Sequence, residues 1–267
     1  MKRIPVIAVC AVVGLAGCSD DTPSAAGGST SSDAAQATEL TVFAGSSLTT
    51  AFESLAADFE AEHPGVTVTF NFGPSDGLAA QIGSEGGADV FASASQTWMD
   101  DVEDTTGVTG RADFVTNELV VITPPDDPAG ISSLEDLGAE GVQVVLAVEG
   151  VPVGDYARES LQSARIDDAV LENVVSNAED DAAVVATITT GEADAGIVYA
   201  SDITADVAPE VRAIEIPDDV NVTATYPIAV VQDAADAELA QEWVDFVTTC
   251  EGQQRLVSEF GFLPAAG

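Results

Sequence analysis

The sequence predicts an α/β protein built as two lobes with a ligand cleft between them. Apolar strand patterns alternate with helical patterns along the chain, which is typical of parallel sheets covered by helices. One strand pattern, at 118–122, runs into Pro124 and Pro125, and Pro227 precedes the strand pattern at 228–231. We interpret both as crossings between lobes, and folds of this kind bind ligands at the interface. The expected ranges are 39–120 and 228–267 for lobe I, and 121–227 for lobe II.

The predicted elements follow from the period of the apolar residues. The strand patterns lie at 40–43, 66–70, 90–92, 118–122, 142–146, 195–199 and 228–231. The helical patterns lie at 48–62, 77–82, 132–137, 155–164, 181–190 and 237–249. Cys250 follows the last helical pattern, and we expect it to be buried on the same face as Trp243.

The N-terminal segment is predicted to be removed and lipidated rather than folded. Residues 1–17 have a basic start and an apolar run too short to span a bilayer, as in a secretory signal peptide. The ending Leu-Ala-Gly-Cys resembles the bacterial lipobox, which implies a lipid on Cys18. Residues 18–38 are small and polar without apolar periodicity, so they predict a flexible tether. We therefore expect a protein anchored on the extracytoplasmic face of the cell membrane, in a periplasm or at the cell surface.

The charge of the chain restricts its ligands. The sequence holds 46 acidic and 7 basic residues, and five arginines remain once Lys2 and Arg3 leave with the signal peptide. A chain this acidic cannot neutralise a phosphate backbone, so nucleic-acid binding is excluded. A bound anion would have to be held by N–H and O–H donors at short range.

Four predicted helix starts could supply such donors, because the first N–H groups of a helix have no partner inside it. Ser47 follows the strand pattern at 40–43, where the chain runs through small residues into a helix, and it lies at the position of an N-cap. The other three starts contain Ser75, Val153 and Asp181. For each start taken alone, plain capping is the alternative.

Several segments resemble bacterial molybdate-binding proteins of ABC importers. They include Val-Phe-Ala-Gly-Ser-Ser-Leu-Thr at 42–49, Val-Pro-Val-Gly-Asp-Tyr-Ala at 151–157 and Gly-Glu-Ala-Asp-Ala-Gly-Ile-Val-Tyr at 191–199. Matching segments run in order from about residue 40 to 263. The resemblance implies a two-lobed periplasmic-binding-protein fold (type II-like) that holds molybdate or tungstate without a cofactor and delivers it to an importer permease. It also implies a monomer that is not an enzyme.

The same resemblance implies the roles of five residues. Ser47 and Ser75 would donate hydroxyl and backbone hydrogen bonds from the first lobe. Val153 and Asp181 would supply backbone N–H groups from the second lobe, and Tyr199 its phenolic O–H.

Asp181 departs from the family, in which this position is commonly apolar. A carboxylate facing a dianion in a dry cleft is strongly unfavourable. We therefore expect the Asp181 side chain to point outward, so that only its N–H faces the ligand. Val153 is also larger than is common, which a backbone donor tolerates.

Other functions remain open at this stage. A phosphate- or sulfate-binding protein of the same fold is one, because selective phosphate sites contain a carboxylate acceptor, for which Asp76 or Asp181 is available. A secreted serine hydrolase is disfavoured because the only histidine, His63, lies about 22 Å along the first helix from the serine turn. A cation site is not expected either, since there are no His or Cys pairs and no calcium-loop spacing.

Overall fold

A computed structural model describes residues 38–265. The predicted signal peptide at 1–17, the predicted lipidation site Cys18 and the part of the predicted tether up to residue 37 lie outside the described residues. None of the described helices is both long enough and apolar enough to cross a membrane.

The described chain forms eleven strands and eight α-helices. The strands are β1 (Thr38–Gly45), β2 (Val66–Gly73), β3 (Val90–Ala92), β4 (Val108–Asn117), β5 (Leu119–Thr123), β6 (Val144–Ala147), β7 (Val174–Ala178), β8 (Ala195–Tyr199), β9 (Arg212–Glu215), β10 (Ala224–Val231) and β11 (Leu263–Pro264). The α-helices are α1 (Thr49–Glu62), α2 (Ser75–Glu85), α3 (Gln96–Thr105), α4 (Pro152–Ala164), α5 (Asp167–Glu172), α6 (Asp181–Thr189), α7 (Ala237–Thr248) and α8 (Cys250–Phe260). Three short 3₁₀ turns occupy Ser46–Leu48, Leu134–Gly138 and Ala200–Asp202.

The strands form two sheets, each the centre of one lobe. The order in the first is β11-β4-β10-β3-β1-β2, and in the second β7-β6-β8-β5-β9. The expected two-lobed α/β fold is confirmed, but the sheets are mixed rather than parallel as expected. β10 runs antiparallel to β3 and β4, and β5 runs antiparallel to β8 and β9. Both begin where the chain has just crossed from the other lobe, and so they enter their sheets from the cleft side.

Two strands, β5 and β10, run across the expected lobe boundaries at 120/121 and 227/228. Leu119 and Val120, expected in lobe I, belong to β5 of the second sheet, and residues 224–227, expected in lobe II, belong to β10 of the first. The two crossing segments are joined by the Asn221 side chain, which accepts a hydrogen bond from Leu119 N (3.2 Å) and donates one to Leu119 O (3.0 Å).

The first sheet is covered on both faces, because successive residues of a strand point to opposite sides. Val42 of β1 packs into the core beneath α1 and α7, and Phe43 packs with α2 and α3 on the other face. An aromatic cluster fills the α1 side. There the ring of Trp243 lies 5.7 Å from that of Phe52 and 5.3 Å from that of Phe59.

Sequence reasoning missed β4, β7, β9, β11, α3, α5 and α8. The expectation that Cys250 is buried is also wrong, since Cys250 is exposed. The physical reason is a break at Thr249, whose extended backbone ends α7 and whose hydroxyl caps α8 by accepting from Gly252 N (3.1 Å). Cys250 therefore opens a new helix instead of continuing the buried face of α7.

Replacing Phe52 with alanine should lower the free energy of unfolding by about 3–5 kcal/mol, because it empties the centre of the aromatic cluster. Cys250→Ser is the matched control at an exposed position, and we expect it to stay within about 0.5 kcal/mol of wild type. Chemical denaturation of both variants measures the difference. Equal stabilities would contradict the assigned core.

Candidate functional site

A small cavity of about 10 Å³ lies between the lobes, where β1 and β2 end and where α4 and α6 begin. All five residues predicted for the site line it. The full lining is Gly45, Ser46, Ser47, Gly73, Pro74, Ser75, Ala94, Val151, Pro152, Val153, Asp181 and Tyr199. No arginine, lysine or histidine is among these described residues, so the donors of this cavity are neutral.

Ser75 begins α2 directly after Pro74 and is almost fully buried. Its Oγ accepts a hydrogen bond from Ala94 N at 3.1 Å. Because a hydroxyl can donate and accept at once, this contact fixes the oxygen and leaves the proton available to a ligand.

Ser47 lies in the 3₁₀ turn between β1 and α1, not at the N-cap position expected from the sequence, which Leu48 occupies. Its Oγ shares a hydrogen bond with Tyr226 Oη at 2.9 Å. Tyr226 itself is buried in β10 and also accepts from Asn117 Nδ2 (3.3 Å). The Ser47 hydroxyl is thus positioned by Tyr226, which the sequence did not identify as a residue of the site.

Val153 lies in the first turn of α4, with its side chain buried and its backbone N–H among those that the helix leaves unpaired. The next residue, Gly154, brings α4 against the end of β6. A Cβ at Gly154 would lie 2.6 Å from Ala147 O and 2.4 Å from Val148 O, so only glycine fits there. Arg158 stabilises the same junction by donating to Ala147 O (2.8 Å) and Gly154 O (2.7 Å).

Tyr199 ends β8 with about 1% of its surface exposed, and its Oη has no hydrogen-bond partner among the described residues. Burial, with the neighbouring Tyr226 as the second cause, raises the pKa of Tyr199 well above its ordinary value, so the hydroxyl keeps its proton. A buried O–H without an acceptor costs about 1–3 kcal/mol, which an acceptor atom in the cavity would recover.

The expectation that the Asp181 side chain points outward is wrong. It is 4% exposed, lines the cavity and accepts a hydrogen bond from Ser46 Oγ across the cleft. The cap of α6 is the preceding residue, Asp180, whose carboxylate accepts from Ala183 N at 2.9 Å. Asp181 therefore falls one position inside the helix, facing the cleft. Burial raises the pKa of its carboxyl.

The lobes also meet at a second point beside the cavity. Trp98 on α3 donates from Nε1 to the carbonyl of Gly150, just before α4, at 3.0 Å. No group of three or more His, Cys, Asp or Glu residues suited to a metal ion occurs within residues 38–265.

Comparisons with known proteins agree on one type of protein. Residues 40–263 match the family described as bacterial extracellular solute-binding protein. The chain is 34% identical to the molybdate-binding protein ModA of Mycobacterium tuberculosis, over 94% of this chain and 93% of that protein. It is 29% identical to the putative ABC transporter substrate-binding lipoprotein YvgL of Bacillus subtilis, over 96% of both. Among solved structures, the substrate-binding domain of a putative molybdenum ABC transporter from Clostridium difficile superposes with a TM-score of 0.66 and 28% identity, covering 86% of this chain and all of that one.

We expect Gly154→Ala to lower the free energy of unfolding by about 1–3 kcal/mol, because the added methyl group forces α4 away from two carbonyl oxygens. The matched control is Gly77→Ala in the first turn of α2, where the nearest atom to the new Cβ is Pro74 Cγ at an ordinary 3.7 Å. That change should stabilise the helix by about 0.5–1 kcal/mol. Thermal and denaturant unfolding give both values, and equal effects at the two glycines would contradict the tight junction at Gly154.

Proposed function

The chain belongs to the bacterial extracellular solute-binding proteins, and on that premise we propose that it captures molybdate outside the cytoplasm and delivers it to the permease of an ABC importer. The observation that carries this proposal is the cavity between the lobes, lined by neutral hydrogen-bond donors with no cationic side chain in its described lining. A site of this chemistry suits a small, fully ionised oxyanion.

In the proposed complex, the first lobe supplies the hydroxyl and backbone N–H groups of Ser47 and Ser75. The second lobe supplies the N–H groups of Val153 and Asp181 and the phenolic O–H of Tyr199. Hydrogen bonds to an ionised acceptor are roughly twice as strong as neutral ones, so several of them replace the hydration shell of the ion. Closure of the lobes then buries the ion and forms the surface that the permease recognises.

Molybdate is proposed over other oxyanions because the relative at 34% identity and the solved structure at 28% identity are named for molybdate and molybdenum. Tungstate has the same charge and nearly the same size, and we propose that it binds as well. Sulfate and phosphate are the rival ligands. The buried Asp181 favours phosphate if the carboxyl is ionised, because hydrogen phosphate brings a proton that a carboxylate can accept.

We also propose that the protein acts as a monomeric lipoprotein with no catalytic activity. The lipobox-like ending at Cys18 supports the anchor, as does the naming of the Bacillus relative as a lipoprotein. Ser47 and Ser75 lack a histidine among the residues that line their cavity, so neither has the base that a nucleophile needs.

Titration calorimetry with a series of ions tests the ligand. Molybdate and tungstate should bind at least 100-fold more tightly than sulfate or phosphate, a difference of about 2.7 kcal/mol. The soluble form that begins after Cys18 is suitable for all four ions. Tightest binding of phosphate or sulfate would overturn molybdate as the ligand while leaving an oxyanion site in place.

Tyr199→Phe tests the site with the smallest possible change. The variant should bind molybdate about 10- to 150-fold more weakly, because one charge-assisted bond of about 1.5–3 kcal/mol is lost. The ligand-free variant should be at least as stable as wild type, since Tyr199 Oη has no partner within residues 38–265.

The matched control is Tyr226→Phe, which removes a hydroxyl that is bonded to Ser47 and Asn117. It should lower the free energy of unfolding by about 1 kcal/mol, in contrast to Tyr199→Phe. Denaturation curves recorded without ligand, together with calorimetry, separate the two hydroxyls. Unchanged molybdate affinity in Tyr199→Phe would remove this residue from the site.

A further inference from the structure

Three polar residues, Ser46, Asp181 and Asp202, line a second cavity of about 240 Å³, which shares Ser46 and Asp181 with the cavity between the lobes. Ser46 Oγ of the first lobe donates to the Asp181 carboxyl of the second. Asp202 lies in the turn after β8, where its Oδ2 accepts from Tyr199 N at 2.9 Å. The two carboxyls are near enough for the charge of Asp181 to act on Asp202.

Two neighbouring carboxyls repel each other strongly when both are ionised, and they can share a hydrogen bond only if one of them keeps a proton. The surroundings favour this protonated state. Burial raises the pKa of Asp181, and burial followed by the charge of Asp181 raises the pKa of Asp202 well above its ordinary value.

The groups that face the pair come from each element around it. They are Asp180 on α6, Tyr199 at the end of β8, Tyr226 on β10 and the hydroxyl of Ser46 in the turn after β1. None of these carries a positive charge, and Asp180 adds a negative one. Nothing in this group of residues compensates for a second ionised carboxyl.

A dianion in the cavity makes ionisation of the second carboxyl still less favourable. Two unit charges 4 Å apart interact by about 4 kcal/mol at an effective dielectric constant of 20, so an oxyanion and a fully ionised pair would repel each other strongly. The ion must therefore raise the pKa of the pair when it binds. By reciprocity, loss of the proton must weaken binding of the ion.

We propose that the Asp181–Asp202 pair couples oxyanion capture to a proton, so that the cleft closes on a dianion only with one proton kept between the two carboxyls. This inference rests on the proposed function and adds a condition to it. The proton belongs to the protein rather than to the ligand, which separates this site from one that accepts the proton of hydrogen phosphate. If the ligand brought the proton, ionisation of the carboxyl pair would strengthen ligand binding. If the pair holds the proton, ionisation of the pair weakens ligand binding.

The test is calorimetric titration of molybdate from pH 6 to pH 9, at each pH in two buffers of different ionisation enthalpy. Molybdate carries no proton in this range, so any proton taken up binds to the protein. Wild type should take up as much as one proton per ion. Its affinity should fall by up to about tenfold per pH unit once the free pair ionises.

Two variants locate the proton. Asp181→Asn keeps an acceptor for Ser46 and places an amide N–H against Asp202, so it should lose both the proton uptake and the pH dependence. The matched control is Asp155→Asn in the first turn of α4, where an exposed carboxylate accepts from Gly150 N at 2.8 Å. That variant loses the same charge near the cleft and should keep the wild-type pH profile.

A measurement on the free protein covers the case in which Asp181→Asn binds poorly. The folded state holds a proton that the unfolded chain releases near pH 4, so the unfolding free energy of wild type should fall as pH rises from about 4 through the raised pKa of the pair. In Asp181→Asn this part of the decline should be absent.

The outcomes are distinct. Molybdate binding with a flat pH profile and no proton uptake overturns the coupling and leaves the proposed function intact. Proton uptake that survives in Asp181→Asn also overturns it, since the proton then resides elsewhere. Failure to bind molybdate at any pH contradicts the proposed function itself.

Discussion

The cleft depends on backbone N–H groups that regular hydrogen bonding leaves free. α2, α4 and α6 each begin at the cavity, so the first turns of three helices, which have N–H groups without partners inside the helix, meet at one small space. This convergence requires close packing behind the helices, which Gly154 provides at α4 by letting the first turn approach the end of β6. The serine and tyrosine hydroxyls of the cavity then add to the electrostatic field of these backbone N–H groups.

The hydrogen bonds that join the lobes at the chain crossings differ from those that join them across the cleft. At the crossings, Asn221 makes two hydrogen bonds to Leu119, and Asn117 links Ser201 to Tyr226 inside the protein. Across the cleft, Trp98–Gly150 and Ser46–Asp181 are single side-chain contacts, each with a net contribution of about 1 kcal/mol. Several charge-assisted bonds to an oxyanion outweigh such contacts, so a ligand of this kind is able to decide whether the cleft is closed.

Much of the fold could be predicted from the sequence, because strands such as β1 and β8 are continuous apolar runs and α1 has a clear buried face. Elements with polar or interrupted patterns, such as α3 and α8, could not, since their limits are set by the side-chain caps Ser95 and Thr249. The five site residues could be named from motifs, yet the direction of the Asp181 side chain could not. Adjacent acidic residues at a helix start compete for the cap, and Asp180 takes it only because of how α6 meets the sheet.

The proposed anion site lies in a chain of net charge −39, so its local electrostatics must be considered apart from the long-range field. None of the described arginines lines the cavity, and four of them are engaged by other groups: Arg111 with Asp100 and Glu103, Arg212 with Asp127, Arg255 with Asp58 and Glu259, and Arg158 with the carbonyls of Ala147 and Gly154. Salt screens the remaining acidic surface beyond about 8–10 Å, so the net charge slows the approach of an anion more than it weakens its retention. Inside the cavity only near groups matter, and Asp181 is the acidic residue among the described residues that line it. For that reason the protonation of one carboxyl pair counts for more than the many charges on the surface.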